Sequence, residues 1–364
     1  MNETTCVVGI DVAKRKFDIA LLINNKIKTK VFDNTPAGHK AFEDWLTERS
    51  ARPGQTHLCM EATGPYSEVL ATRLVTDGWQ VSVVNPVRIK GFAQSELARN
   101  KTDRSDATLL ARFCMAMRPN LWIPPPIEWR ELRGWVDRLQ ALKEMHQQES
   151  NRQEAHLASG QMHLVRDVQI HLDWLNKQIK GLERNINDHI DQHPDLKRDA
   201  ELLGSIPGIG DTTVAKVLAY AGNIRRFTNA KALAAFIGVT PRQRLSGSSV
   251  KGRTVMSRTG HSDLRRALYM PGMVARRHNP VLKIFGDRLS AAGLAPKAVI
   301  GAVMRKLAHL IYGVIKSEQP FDANFNHSAL AIQDGIWPYA SFASRSSSSR
   351  RAASSRRTFC IVRS

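Results

Sequence analysis

Two short apolar runs, TTCVVGI (4–10) and THLCME (56–61), each deliver one acid at their C-terminal end, Asp11 and Glu61. Nothing else in the chain narrows its fold as much, because a charge is costly inside a buried strand and tolerable at the tip, where water or a cation reaches it. Between the two runs, KFDIALLI (16–23) and IKTKVFD (27–33) read as strands separated by a turn at NNK. Links this short join antiparallel neighbours, so the first three strands form a meander. A helix follows at about 36–48, with Ala41, Phe42, Trp45 and Leu46 on one face. After the strand at 56–61 come a helix at 65–77, a strand at 79–84 and helical segments through Arg118.

That βββαβαβα order resembles a ribonuclease-H-like α/β fold. It ends at PNLWIPPPI (119–127), where four prolines make a stiff boundary. Beyond lies a polar, helix-favouring stretch in which Leu132, Trp135, Leu139 and Leu142 step by three and four, as do Val168, Leu172, Leu175, Ile179, Leu182 and Ile186. This is the seam of a coiled coil or of a helical hairpin, and heptads do not tell whether the facing helix belongs to another chain. Four segments are expected: a catalytic domain at 1–122, a helical or coiled-coil linker at 123–195, a mainly α domain at 196–325 with helices at about 262–277 and 295–316, and a disordered basic tail at 326–364.

In NKTDRSDATLLARF, Asp103 and Asp106 stand three apart, on one helix face. An acid at one strand tip, another on a neighbouring strand and two on a following helix can converge at one sheet edge. Hard divalent cations need clustered oxygens of this kind, and two such ions can serve the attacking and leaving oxygens of a phosphodiester. Singly, each acid has a plainer reading: Asp106 as a first-turn helix acid, Asp103 or Ser105 as an N-cap, Asp11 as a turn residue. Lys14, Arg15, Lys16, Lys90, Arg99, Lys101 and Arg104 supply phosphate-binding charge around them.

Charge points to the same class of partner. Fifty-three Lys and Arg against thirty-three Asp and Glu give +20, and setting aside the six arginines of the Ser/Arg-rich 341–364 still leaves +14. Such a surface attracts polyanions by counterion release. No stretch approaches the roughly 20 apolar residues that span a bilayer, so no membrane partner is expected. The four cysteines lie far apart without zinc-ligand spacing, and no signal-peptide pattern opens the chain. A reducing bacterial cytoplasm, in contact with the nucleoid, is the expected location.

Pro207-Gly208-Ile209-Gly210, between helical segments, has the pattern of a helix-hairpin-helix, in which Gly208 and Gly210 would admit a phosphate to the backbone. A tight turn needing glycine for geometry alone is the alternative. Thr240–Arg253 (TPRQRLSGSSVKGR) sets Ser246, Ser248 and Ser249 among Arg242, Arg244, Lys251 and Arg253, an anion-binding composition in which an activated serine can attack phosphorus. A flexible basic loop fits the spacing equally. Arg265, Arg266, Arg276 and Arg277 follow on a phosphate-tracking face.

Taken in order, GIDVAK, MEATGPY, VNPVRIKGFAQSE, RNKTDRSDA, SIPGIG, TPRQRLSGSSVKG and GHSDLRRALYMP resemble the insertion-sequence-110 transposases and their relatives, the Piv-type DNA invertases, from about residue 5 to 325. The resemblance implies a resolvase-like ribonuclease-H fold with a DEDD set, here Asp11, Glu61, Asp103 and Asp106, holding Mg²⁺. It implies a helical linker that mediates homodimer or homotetramer formation, and a catalytic serine matching Ser246 that forms a covalent link to DNA. It also implies a structured non-coding guide (bridge) RNA that brings donor and target DNA together; base pairing would then read the sequence while the protein contacts backbones. Three other functions fit parts of the pattern. A structure-specific nuclease would need only the acids, and an architectural protein would need neither acids nor serine. A proofreading-type exonuclease would need an acid two residues after Asp11, where Ala13 stands.

Overall fold

The computed structural model describes residues 6–96, 102–242, 245–246, 250–251 and 255–324, with the backbone alone at 245–246 and 250–251. Two compact units meet within the proline-rich segment, the first ending at Pro124 and the second beginning at Pro125.

The first unit runs β1 (Cys6–Val12), β2 (Lys16–Ile23), β3 (Lys26–Asp33), α1 (Pro36–Thr47), β4 (Thr56–Glu61), α2 (Pro65–Thr76), β5 (Gln80–Val84), α3 (Pro86–Ser95) and α4 (Asp103–Met117). The sheet order is β3-β2-β1-β4-β5. The β1–β2 and β2–β3 pairs are antiparallel, as the short links require, whereas β4 lies parallel to β1 and β5 parallel to β4. Strand alternation separates two cores. One face carries Val8, Ile10, Phe17, Ile19, Leu58 and Met60 against Phe42, Trp45 and Leu46 of α1 and Leu70 and Leu74 of α2. The other carries Val7, Ala20, Leu22, Cys59 and Val84 against Ala107, Leu110, Ala111, Phe113 and Cys114 of α4. β1 extends past the expected run: Asp11 pairs with Asp18 and Val12 with Phe17 across the β1–β2 ladder, so Asp11 lies inside the strand rather than beyond it.

The second unit is mostly helical. α5 (Ile127–Ala158) and α6 (Met162–Gln192) form a hairpin. Leu132, Val136, Leu139 and Leu142 of α5 share a core with Leu175, Leu182, Ile186 and Ile190 of α6. The heptad seam is therefore covered from within the chain. Trp135, expected in the seam, is exposed, and Val136 takes the inward position. α7 (Pro194–Gly204), α8 (Asp211–Ala221) and α9 (Ala230–Ile237) follow. Where a loop was expected, two short ladders pair β6 (Pro241–Arg242) with β9 (Val255–Met256) and β7 (Leu245–Ser246) with β8 (Val250–Lys251).

Four helices close the unit: α10 (Ser262–Ala267), α11 (Tyr269–His278), α12 (Pro280–Ala291) and α13 (Pro296–Ser317). The single helix expected at 262–277 is thus two, divided at Leu268, and α12 begins where Asn279 caps the amides of Val281 and Leu282. Among the described residues α13 alone is long and apolar enough to cross a membrane by length and composition. Its Val299, Val303, Met304, Leu307, Ile311 and Ile315 are buried in the core of this unit, which accounts for the apolar run without a bilayer.

Candidate active site

The side chains of alternate strand residues share a face, which assigns the acids to a side of the sheet. Val7 on β1, Ala20 and Leu22 on β2, and Cys59 on β4 all face α4. By the same parity Asp11, Asp18 and Glu61 face α4 too. The register of the parallel pair aligns Ile10 with Met60, and one residue further sets Asp11 beside Glu61 on strands about 4.8 Å apart. The first turn of α4, carrying Asp103 and Asp106, completes the group.

Thr102, not Asp103 or Ser105, is the N-cap of α4. Its hydroxyl accepts from the Ser105 amide at 3.2 Å and the Ser105 hydroxyl accepts from the Thr102 amide at 2.8 Å, a reciprocal box. Asp103 and Asp106 are thereby relieved of capping, and the positive end of the helix dipole favours their charge.

Burial, followed by the charges of Asp106, Asp103, Asp18 and Glu61, pushes the Asp11 carboxyl up to about 6. Lys16 places its Nζ 2.9 Å from Asp103 Oδ2 and 3.1 Å from Asp18 Oδ2, and that ion pair holds the Asp103 carboxyl below its ordinary range. Among the described residues no three His, Cys, Asp or Glu side chains stand close enough, as placed, to hold a metal ion. Asp103 is turned toward Lys16. The donor chemistry nonetheless suits a divalent cation. All the acids offer hard oxygens, and the lifted Asp11 marks a place where positive charge relieves repulsion.

Sequence reasoning missed one acid of this edge. Asp18 is the one acid in the otherwise apolar KFDIALLI run, a signal of the same kind that singled out Asp11 and Glu61. Lys16 was read as a phosphate contact, whereas in the structure it is turned to the acids.

Gly9 sets how closely α4 approaches. A Cβ there would lie 2.1 Å from the Ala107 carbonyl oxygen and 2.3 Å from the Ala111 amide nitrogen, both backbone atoms of α4. Gly9→Ala therefore has to lift the helix that carries Asp106, at a cost of about 1–3 kcal/mol for overpacking. The expected result is a lower melting temperature together with weakened Mn²⁺ binding. Gly91→Ala, where a Cβ meets only open space, should leave both unchanged.

The other expected contact residues are dispersed over the described residues of both units. Lys14 and Arg104 are exposed near the acid-bearing turns, and Arg242 is exposed on β6. Gly208, at φ +105, leaves room taken by α11, since a Cβ would meet Ala275 at 2.8 Å; Gly210 borders open space. Arg265 donates to the Ile237 carbonyl at the end of α9, and Arg266 pairs with Asp263 at 2.7 Å while remaining exposed. Ser246 closes β7, paired with Val250, and Lys251 lies on β8. Arg99, Lys101, Arg244, Arg253 and the tail at 326–364 lie outside the described residues.

Residues 8–160 match a family model for a DEDD-type IS110 transposase domain, and residues 200–286 match the model of the IS116/IS110/IS902 transposase family. The pilin gene-inverting protein of Moraxella bovis is 34% identical over 316 residues, which cover 86% of this chain and 97% of that protein. The corresponding protein of Moraxella lacunata is similar to the same extent. The transposase for insertion sequence element IS1328 of Yersinia enterocolitica is 23% identical over 333 residues, 80% of this chain and 93% of that protein.

Proposed function

The chain belongs to the IS110/IS116/IS902 family of transposases, enzymes that cut and recombine DNA, and on that premise we propose that its acidic sheet edge is the cleaving centre and Ser246 a covalent nucleophile. The observation that carries the first half is the parity of Asp11 and Glu61 on adjacent parallel strands, beneath the helix turn bearing Asp103 and Asp106. The strand order β3-β2-β1-β4-β5 supports a ribonuclease-H-like, resolvase-like domain.

Asp11, Glu61 and Asp106 would hold Mg²⁺, with Asp103 joining them when released from Lys16. When bound there, the ion supplies Lewis-acid charge at the scissile phosphate. Lys14, Arg15 and Arg104, exposed around the edge, draw the DNA backbone toward an otherwise repulsive acid cluster. Ser246 would exchange one phosphate ester for another: its oxygen bonds to phosphorus as a deoxyribose oxygen leaves. The number of ester bonds is conserved, and rejoining needs no outside energy.

The second unit reads as the nucleic-acid handling part, with the α7–α8 connection as a helix-hairpin-helix. The exposed α8 N-terminus at Asp211 and Thr212 supports this, while Gly208 serves packing. A structured guide RNA selects donor and target, in keeping with the +20 charge. The helical linker assembles a homodimer or homotetramer, in a coiled-coil manner, through the outward face of the hairpin. There Ile170 and Trp174, one turn apart on α6, are 71% and 49% exposed.

The test is incubation of the purified protein with Mg²⁺, copurified RNA and end-labelled DNA carrying the termini of its element. Cleaved and rejoined products are expected. Hydrolysed junctions without rejoining would reduce the protein to a nuclease, and retention of intact DNA would leave a binding protein.

A further inference from the structure

The acid cluster carries its own cation. Lys16 opens β2 and spans from the sheet to the first turn of α4, with its ammonium 3.1 Å from Asp18 Oδ2 and 2.9 Å from Asp103 Oδ2. Asp18 is 8% exposed and sits directly across the ladder from Asp11, on the face that also holds Glu61. Five carboxylates therefore crowd one edge, and Lys16 is the cation bonded to two of them. Its side chain is 45% exposed and Asp103's 59% exposed, so solvent and ions reach the pair. A screened pair of that kind is weak enough to open.

We propose that Lys16 is a tethered counter-cation that holds Asp103 toward Asp18 and away from the metal-binding set, and that a divalent ion displaces it. The inference rests on the reading of Asp11, Glu61, Asp103 and Asp106 as the metal site. It makes Lys16 a positioning residue: it compensates the acids before metal arrives and sets a threshold for loading. A plain structural strut predicts the opposite sign, since cutting a strut loosens α4 and weakens metal binding, whereas removing a competitor strengthens it.

Mn²⁺ titration of the full chain at pH 7.5, followed calorimetrically and by the paramagnetic resonance of free Mn²⁺, separates the cases. Wild type is expected to bind Mn²⁺, with binding lost in Asp11→Asn. Lys16→Met is expected to bind about 3- to 10-fold more tightly, the scale of displacing a partly exposed ion pair, and Lys16→Arg to match wild type. Equal or weaker binding by Lys16→Met overturns the counter-cation role while leaving the metal site standing. Absence of any Asp11-dependent binding in wild type removes the site itself, and this inference with it. A measurement on the unaltered protein guards against a variant that fails to fold. With ¹³Cε-labelled lysine, Mg²⁺ should shift the Lys16 resonance, and a resonance that stays in place under saturating Mg²⁺ also overturns the proposal.

Discussion

Asp11→Asn is expected to abolish DNA cleavage and, above pH 6, to raise the melting temperature of the protein. The two effects share one cause. The Asp11 carboxyl is lifted from its ordinary 3.8 to about 6 by burial and by Asp106, Asp103, Asp18 and Glu61, so ionising it costs the folded state more than the unfolded chain. The sign follows from the raised value. The stability associated with Asp11 is complete below about pH 4 and is lost as the pH rises through about 6. Asparagine stays neutral, so the variant and wild type should melt together below about pH 4, diverge between about pH 4 and 6, and keep a constant gap above that, with the variant higher. Because solvent reaches part of the side chain, the relief is about 1 kcal/mol, or a few degrees for a unit of this size.

Catalysis moves the other way. Losing a ligand of the metal ion that would neutralise the scissile phosphate is worth ~4 kcal/mol, a fall on the order of 10³-fold in cleavage. Saturating Mg²⁺ should raise the wild-type melting temperature at pH 8 and leave Asp11→Asn unmoved. A variant that cleaves normally, or that melts below wild type at pH 8, would remove Asp11 from the centre of the mechanism.

Ser246→Ala is expected to erase the covalent protein–DNA adduct. If Ser246 carries the DNA end, its loss takes the adduct to background and strand transfer down by on the order of 10³-fold or more, as for other nucleophiles that act as part of a unit. DNA binding should hold within about twofold, because one neutral hydroxyl adds little to a backbone interface governed by cations. Ser248→Ala and Ser249→Ala, in the same Gly- and Arg-rich segment, should retain the adduct and so identify the position. The paired comparison is informative about chemistry. A nuclease that works through its acids alone would lose activity in Asp11→Asn and keep it in Ser246→Ala. Undiminished adduct in Ser246→Ala assigns the nucleophile elsewhere.

Much of the first unit was legible along the chain. The strands at 16–23 and 56–61 have the bounds expected of them, and the mixed α/β unit followed by a mainly helical one agrees with the order of patterns. Alternation and apolar runs are local properties, so they survive in a linear reading. The stretch carrying β6 to β9 was less legible, because two-residue ladders have no period to detect. Trp135 was assigned inward by spacing alone, yet Val136 faces the α6 partner, since two neighbouring residues fit the same heptad until a facing helix selects between them.

Asp11 near the C-terminal end of one strand, Glu61 at the end of a second and the paired acids of α4 were written in the sequence, since each is set by what lies within a few residues of it. The tertiary structure alone decided that Asp18 faces the same way as Asp11, that Lys16 reaches across 87 residues of chain to Asp103, and that Gly9 is where α4 rests on β1. Those facts depend on pairing register and on the distance of closest approach between elements. Both are fixed by contacts between segments remote in the chain, about which local pattern carries no information.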